Sequence, residues 1–99
     1  MKINMLEEIK NYEGKPILNE QKKSTTVREL ISVALNNPVP NEALTAEKKV
    51  KVYQISIKIW ENKEVDLTVD DRAFIKERAG KVLPSLFYGR LSDALEEKK

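Results

Sequence analysis

The sequence contains no cysteine and no histidine. Without cysteine the chain has no disulfide framework and no thiolate nucleophile, and without either residue it has no Cys/His zinc site. Serines are present, but no histidine is available to activate one as a nucleophile. The acidic pair Asp70 and Asp71 is adjacent on a predicted helix, where neighbouring side chains point about 100° apart and do not converge on one ion. We therefore expect a non-enzymatic protein with no catalytic residue, no metal site and no cofactor.

Long apolar runs and a strong charge bias are also missing. No stretch approaches the roughly 18 uninterrupted apolar residues of a transmembrane helix. Glu7 and Glu8 lie where a signal peptide has its apolar segment. The 18 basic and 16 acidic side chains leave a net charge of +2, which is too small to predict nucleic-acid binding by itself. These features predict a cytoplasmic protein that does not contact a membrane.

The composition is that of a folded chain with a highly charged surface. Apolar residues make up 40% of the 99 residues, and they recur in periodic blocks, which disordered chains lack. Charged residues make up 34%, above the roughly 25% usual in globular domains. We expect a single domain over residues 1–99, with an N-terminal segment at 1–23 and a helical bundle at 26–97.

The N-terminal segment supports two interpretations. Gly14 followed by Pro16 is a turn signal, because glycine reaches positive φ and proline fixes its own φ. The apolar residues on either side would then form a β-hairpin. Asn4 followed by Glu7 instead resembles a helix capping box, with Gly14 in the place of a C-terminal glycine. The segment is therefore predicted as a hairpin or a short extra helix, followed by an exposed loop at 19–24. No internal repeat is evident.

Three further segments carry helix signals with clear limits. Thr26 with Glu29 fits a capping box, and the apolar spacing predicts a helix over about 27–36 that Pro38 and Pro40 end. Thr68 and the carboxylates after it begin a helix that ends or kinks near position 84, and a last helix follows over roughly 85–97. The predicted fold is mostly α, a bundle of three or four helices with the N-terminal hairpin or short helix.

The segment 46–62 fits both a helix and a strand. Thr45 is a good N-cap, and apolar residues follow at separations of 4, 3, 4 and 3, namely Ala46, Val50, Tyr53, Ile57 and Trp60. Residues 53–59 also alternate between apolar and polar and are rich in β-branched side chains, which is typical of a half-buried strand. The length of about 17 residues without glycine or proline favours the helix.

This helix would carry a second apolar stripe, formed by Val52, Ile55 and Ile59. A helix that is apolar on two faces is either central in its own bundle or shared with a partner chain. Tyr88 and Arg90 belong to residue types enriched at interface hot spots, although a buried last helix with Tyr88 at its rim is the simpler interpretation and is favoured for this segment. These five residues form the predicted interface. We expect a protein partner, of which a second copy of the chain in a homodimer is one form.

Lysines on the same helix raise a second hypothesis, a nucleic-acid-binding regulator. Basic side chains would contact phosphates, and the chain offers Lys48, Lys49, Lys51 and Lys58 here and Arg72, Lys76 and Arg78 on the next helix. Intervening carboxylates dilute this positive field. Nucleic-acid binding is therefore the alternative to protein interaction and not the favoured prediction.

Four stretches of the chain resemble a group of small proteins of tailed phages and prophages. They are Gly14-Lys15-Pro16-Ile17, Thr26-Val27-Arg28-Glu29-Leu30 leading to Ala34-Leu35, Lys48-Lys49-Val50-Lys51-Val52-Tyr53, and Glu64-Val65-Asp66-Leu67-Thr68. The resemblance implies an N-terminal hairpin followed by a small helical bundle, and a phage or prophage origin. It implies no catalytic residue. With the residue-level analysis, it favours a modulator or assembly factor that acts through protein contacts.

Overall fold

The computed structural model describes residues 2–39 and 42–96. Within these ranges the chain forms four helices and a two-stranded antiparallel sheet. In chain order the elements are β1 (Lys2–Asn4), α1 (Val27–Asn36), α2 (Ala46–Glu61), β2 (Glu64–Asp66), α3 (Val69–Val82) and α4 (Ser85–Glu96). The predicted mostly α bundle with β structure at the N-terminus is confirmed. The predictions that fall on Met1, Pro40 and residue 97 lie outside the described residues.

Threonine caps set the beginnings of three helices. The hydroxyls of Thr26, Thr45 and Thr68 each accept a hydrogen bond from the backbone N–H three residues later, at 3.4, 3.2 and 3.0 Å. Each cap satisfies one of the donors that the first helical turn leaves unpaired. All three were predicted, and the helical interpretation of the segment 46–62 is confirmed over Ala46–Glu61.

The N-terminal segment folds into turns rather than a helix. Gly14 has a φ of 82° in a turn closed by a bridge between Lys10 and Pro16, so the hairpin interpretation of this turn is confirmed. β1 pairs elsewhere, since Ile3 lies opposite Val65 of β2 in the antiparallel sheet. The first strand therefore joins the N-terminus to the connection between α2 and α3.

An eight-residue structural repeat follows β1, which the sequence analysis did not find. Asn11 and Asn19 each accept two backbone N–H groups through their side-chain oxygens, from the residues two and four positions later. Gly14 and Lys22 lie three residues after these asparagines, and both have positive φ, 82° and 61°. The two turns thus share one backbone geometry. Their sequences are identical at only two positions, the asparagine and the lysine four residues after it (Lys15 and Lys23).

The repeat closes into a ring of three chain segments. The N–H of Ile9 donates to the carbonyl of Thr25 at 2.8 Å, Thr25 donates to Ile17 at 2.7 Å, and Ile17 donates back to Ile9 at 2.9 Å. Ile9 and Thr25 are buried, so their polar backbone groups need these partners. This ring leads directly into Thr26, the cap of α1.

Helix α1 is the centre of the bundle and contacts α2, α3 and α4. It buries five apolar side chains in one continuous core with residues of every other element: Val27, Leu30, Ile31, Ala34 and Leu35. Full burial of one large aliphatic side chain contributes roughly 1.5–3 kcal/mol. The central position that the two apolar stripes suggested for α2 therefore belongs to α1, and α2 packs through one face.

A buried arginine fixes the connection between α1 and α2. Arg78 of α3 is only 3% exposed, and its guanidinium donates to the Asn37 carbonyl and to Glu42, both at 2.8 Å. Glu42 also accepts a hydrogen bond from Lys81 at 2.7 Å. This bond and the positive charges of Lys81 and Arg78 hold the pKa of Glu42 below its ordinary value. The carboxylate partner lets the guanidinium charge be buried.

Candidate protein-contact surface

Helix α2 has one buried and one exposed apolar face. Val52, Ile55 and Ile59 are 8%, 3% and 0% exposed and belong to the core. In an α-helix, residues 3, 4 and 7 positions apart share a face. The residues on the other side of α2 therefore point away from the bundle, whatever their polarity.

The side that points away carries four large apolar side chains. Val50 is 53% exposed, Tyr53 65%, Ile57 37% and Trp60 51%. They follow one another along the helix at separations of 3, 4 and 3, so they form one continuous strip. We call Val50, Tyr53, Ile57 and Trp60 the α2 stripe. Single exposed apolar residues are ordinary on protein surfaces, whereas contiguous apolar patches mark interaction sites.

Arg28 of α1 orders one end of the α2 stripe. Its guanidinium lies 5.0 Å from the centre of the Trp60 ring. The same group donates to the carbonyl of Ile59 at 2.7 Å and to that of Asn62 at 2.8 Å. These carbonyls are at the C-terminal end of α2, where a positive charge is favourable. A cation held in this way stacks on the indole and restricts its motion while half of the ring stays exposed.

The predicted interface on α2 is corrected by these burial values. Val52, Ile55 and Ile59 lie inside the core of the same chain, so they are not available for contact with a partner. Of the two predicted stripes, the one assigned to the interface is the one that the fold buries. The physical reason is that α2 packs against α1 and β2 on one side only. The three aliphatic side chains, which have no polar atom, fill that contact.

Tyr88 and Arg90, the other two predicted interface residues, make contacts within the chain. Tyr88 is partly buried against the core, and a Cβ at Gly80 would lie 3.5 Å from its ring. Arg90 donates to the carbonyls of Lys10 and Asn11 at 3.0 and 2.6 Å. Arg90 thus ties α4 to the first N-terminal turn. Tyr88 lies at the rim of the core, as the simpler interpretation had it, although α4 itself buries only Leu91 and Leu95.

The basic residues proposed for nucleic-acid contact are largely engaged within the chain. On α3, Arg78 is buried, Arg72 donates to the Leu95 carbonyl, and Lys76 pairs with Glu96. On α2 the ammonium of Lys51 lies 5.3 Å from the centre of the Phe74 ring, and Lys58 donates to the Asp66 carbonyl at 2.8 Å. These contacts direct the charges to several sides of the bundle. Nucleic-acid binding stays an untested prediction.

A cleft lies between the N-terminal segment and α4. It measures about 790 Å³ and is lined by charges of both signs, with Lys2, Lys10 and Arg90 facing Glu7, Glu8 and Asp93. Arg90 is already bound to two carbonyls there. Over residues 2–39 and 42–96, no group of three or more acidic side chains is placed to hold a metal ion.

Comparison with known proteins finds no match for this chain among protein families, curated proteins or solved structures. The surface must therefore be interpreted from its own chemistry. None of the helices formed by the described residues is long and apolar enough to cross a membrane. Among the described residues, four of the nine large apolar side chains that are more than a third exposed lie in the α2 stripe.

Proposed function

We propose that this chain is a non-enzymatic protein-interaction module that binds through the α2 stripe. One observation carries the proposal: four large apolar side chains, between 37% and 65% exposed, lie in a single strip on the outer face of α2. An aromatic side chain presents roughly 150–250 Å² when fully exposed, so the strip exposes on the order of 400 Å² of mainly apolar surface. Patches of this size on a monomer are often functional.

The residue types of the stripe support contact with a protein. Tyr and Trp are the commonest hot-spot residues, because they combine a large apolar area with a polar tip. Trp60 is held by Arg28 before any partner arrives, so less side-chain entropy is lost on binding. The resemblance to phage and prophage proteins adds that the module would serve as a modulator or an assembly factor.

The test compares two tyrosine variants in the cell that produces the chain. Tyr53→Lys places a charge in the stripe, and Tyr12→Lys, at a side chain 79% exposed in the first turn, is the matched control. Proteins captured by the wild type are purified and their affinities measured with all three chains. Loss of a hot-spot tyrosine removes about 2 kcal/mol or more, so we expect binding to weaken about 30-fold for Tyr53→Lys. Equal binding by the two variants would refute the proposal.

A further inference from the structure

We infer that the partner of the α2 stripe is a second copy of this chain, with the two α2 helices packed side by side in parallel. This inference rests on the proposed function and specifies which protein binds the α2 stripe. With Ala46, the stripe has the separations 4, 3, 4 and 3, which are those of a coiled-coil seam. Val50 and Ile57 then take the a positions, and Ala46, Tyr53 and Trp60 take the d positions.

The a positions favour a pair of parallel helices. Both are β-branched, which is the residue type that two-stranded parallel coiled coils carry at a. In such a pair Val50 packs on Val50 of the second copy, and Ile57 on Ile57. The core of each chain lies on the opposite face of its α2, where Val52, Ile55 and Ile59 are buried. The two domains would therefore stand on opposite sides of the pair without obstructing it.

The charged side chains beside the stripe are compatible with the same orientation. One flank, the e positions, carries Glu47, Gln54 and Glu61, and the other, the g positions, carries Lys49 and Ser56. All of these except Ser56 are exposed. In a parallel pair the g flank of one helix faces the e flank of the other, so Lys49 meets Gln54. The other g position, Ser56, has its hydroxyl buried within its own chain, so Glu61 meets no charge there.

An antiparallel pair would bring like charges together. If Val50 of one copy lay opposite Trp60 of the other, the e flanks would face each other, and Glu47 would oppose Glu61 at both ends of the interface. Like charges placed in this way disfavour the wrong arrangement. The charge pattern of α2 is thus compatible with a second parallel copy and works against an antiparallel one.

The area of the stripe limits the strength of the pair. Two stripes of about 400 Å² each, with their polar flanks, approach the lower limit of roughly 1,200 Å² for specific interfaces. The seam also spans only two heptads, from Ala46 to Trp60. We therefore expect a reversible dimer with a dissociation constant on the order of 10 µM, which is populated at high local concentration.

Sedimentation velocity of the whole chain from about 1 µM to about 1 mM tests the association, since this range brackets such a constant. The wild type and the control Tyr12→Glu are expected to change from monomer to dimer together. Tyr53→Glu is expected to stay monomeric, or to need at least about 30-fold more protein. A dimer that Tyr53→Glu leaves unchanged would overturn the inference.

Two cysteine variants test the orientation, because the chain has no native cysteine. Ala46→Cys places thiols opposite each other in a parallel pair, within the short reach of a disulfide. In the antiparallel pair those thiols are about 27 Å apart at 1.5 Å per residue. Gln54→Cys reverses the outcome, since e positions face each other only when the helices are antiparallel. Oxidative cross-linking of Ala46→Cys alone is expected, and cross-linking of Gln54→Cys instead would overturn the parallel arrangement.

Failure of this inference is distinguishable from failure of the proposed function. If the wild type stays monomeric at about 1 mM but binds another protein in a Tyr53-dependent manner, the inferred homodimer is wrong. The proposed interaction module is then still supported. A monomer whose binding never depends on Tyr53 overturns both.

Discussion

Two isoleucines of α2, two residues apart, distinguish its faces in a matched experiment. Ile59 is 0% exposed in the core, and Ile57 is 37% exposed in the α2 stripe. Replacing either by alanine removes the same atoms from the same helix. The intrinsic preference of the helix for alanine is also the same in both cases, a few tenths of a kcal/mol. The difference between the two variants therefore measures burial.

The expected losses follow from the atoms removed. An isoleucine loses three carbon groups on becoming alanine, and at about 0.8 kcal/mol each the transfer term for Ile59 is about 2.4 kcal/mol. The residual cavity adds roughly 1 kcal/mol. Subtracting the propensity gain leaves a loss of about 3 kcal/mol for Ile59→Ala. For Ile57→Ala water fills the vacated space and part of the side chain is already exposed, so we expect about 1 kcal/mol or less.

Urea unfolding followed by far-UV circular dichroism, at about 1 µM protein so that self-association does not contribute, measures both losses. Thermal unfolding should show the same order, with Ile59→Ala lowering Tm by about 12 °C or more. Equal losses for the two variants, or a larger loss for Ile57→Ala, would mean that α2 turns its other face to the core. The α2 stripe would then not be a surface at all.

Three further predictions concern the parts that hold α2 and the N-terminal turns in place. Arg78→Ala should lower the free energy of unfolding by about 2–3 kcal/mol, because it removes the donor of the Asn37 carbonyl and breaks the pair between a buried guanidinium and Glu42; denaturant titration measures it, and a change near zero contradicts a structural role for these bonds. Since the pKa of Glu42 is held below its ordinary 4.5, its stabilising contribution should be complete above pH 4.5 and disappear as the pH falls below that value. The stability difference between the wild type and Glu42→Gln should therefore shrink towards zero on acidification, and a difference that grows would contradict the assignment. In the paired turns, where both residues have positive φ, Gly14→Ala should destabilise by about 1 kcal/mol while Lys22→Gly stabilises by about 0.5 kcal/mol; Tm shifts of the same sign would refute the shared geometry.

The limits of the helices were predictable because they depend on local chemistry. Thr26, Thr45 and Thr68 each cap the helix that follows, and such capping needs only the residue and its next three neighbours. The end of α1 before Pro38 and of α3 before Pro84 follows from the geometry of proline in the same local way. No knowledge of the rest of the fold is needed for these features.

The orientation of α2 was not predictable from periodicity, because both of its stripes have helical spacing. Which stripe faces the core depends on where α1 and β2 pack, which is tertiary information. One signal was present in the side chains. Those of Val52, Ile55 and Ile59 have no polar atom, so they can be buried without a hydrogen-bond partner. Those of Tyr53 and Trp60 have polar tips suited to a surface. That signal distinguishes the buried stripe from the exposed one.

Arg78 and the N-terminal repeat were missed for different reasons. Arg78 lies 3 and 4 residues after Ile75 and Phe74, so helical spacing already placed it on the inner face of α3. Its charge led the sequence analysis to treat it as exposed. The repeat is defined by backbone conformation at Gly14 and Lys22. A lysine in a sequence does not indicate a positive φ, so the second turn could not be recognised.

Trp60 provides the most direct test of the claim that the α2 stripe binds a second copy of the chain, because it is the one tryptophan of the chain and half of it is exposed. Its fluorescence emission and its quenching by acrylamide are measured across a dilution series of the wild type and of Tyr53→Glu. We expect the emission to shift to the blue and the quenching to fall as the wild-type concentration rises, with no change in Tyr53→Glu. Emission and quenching that stay constant in the wild type, or that change equally in both chains, would contradict it.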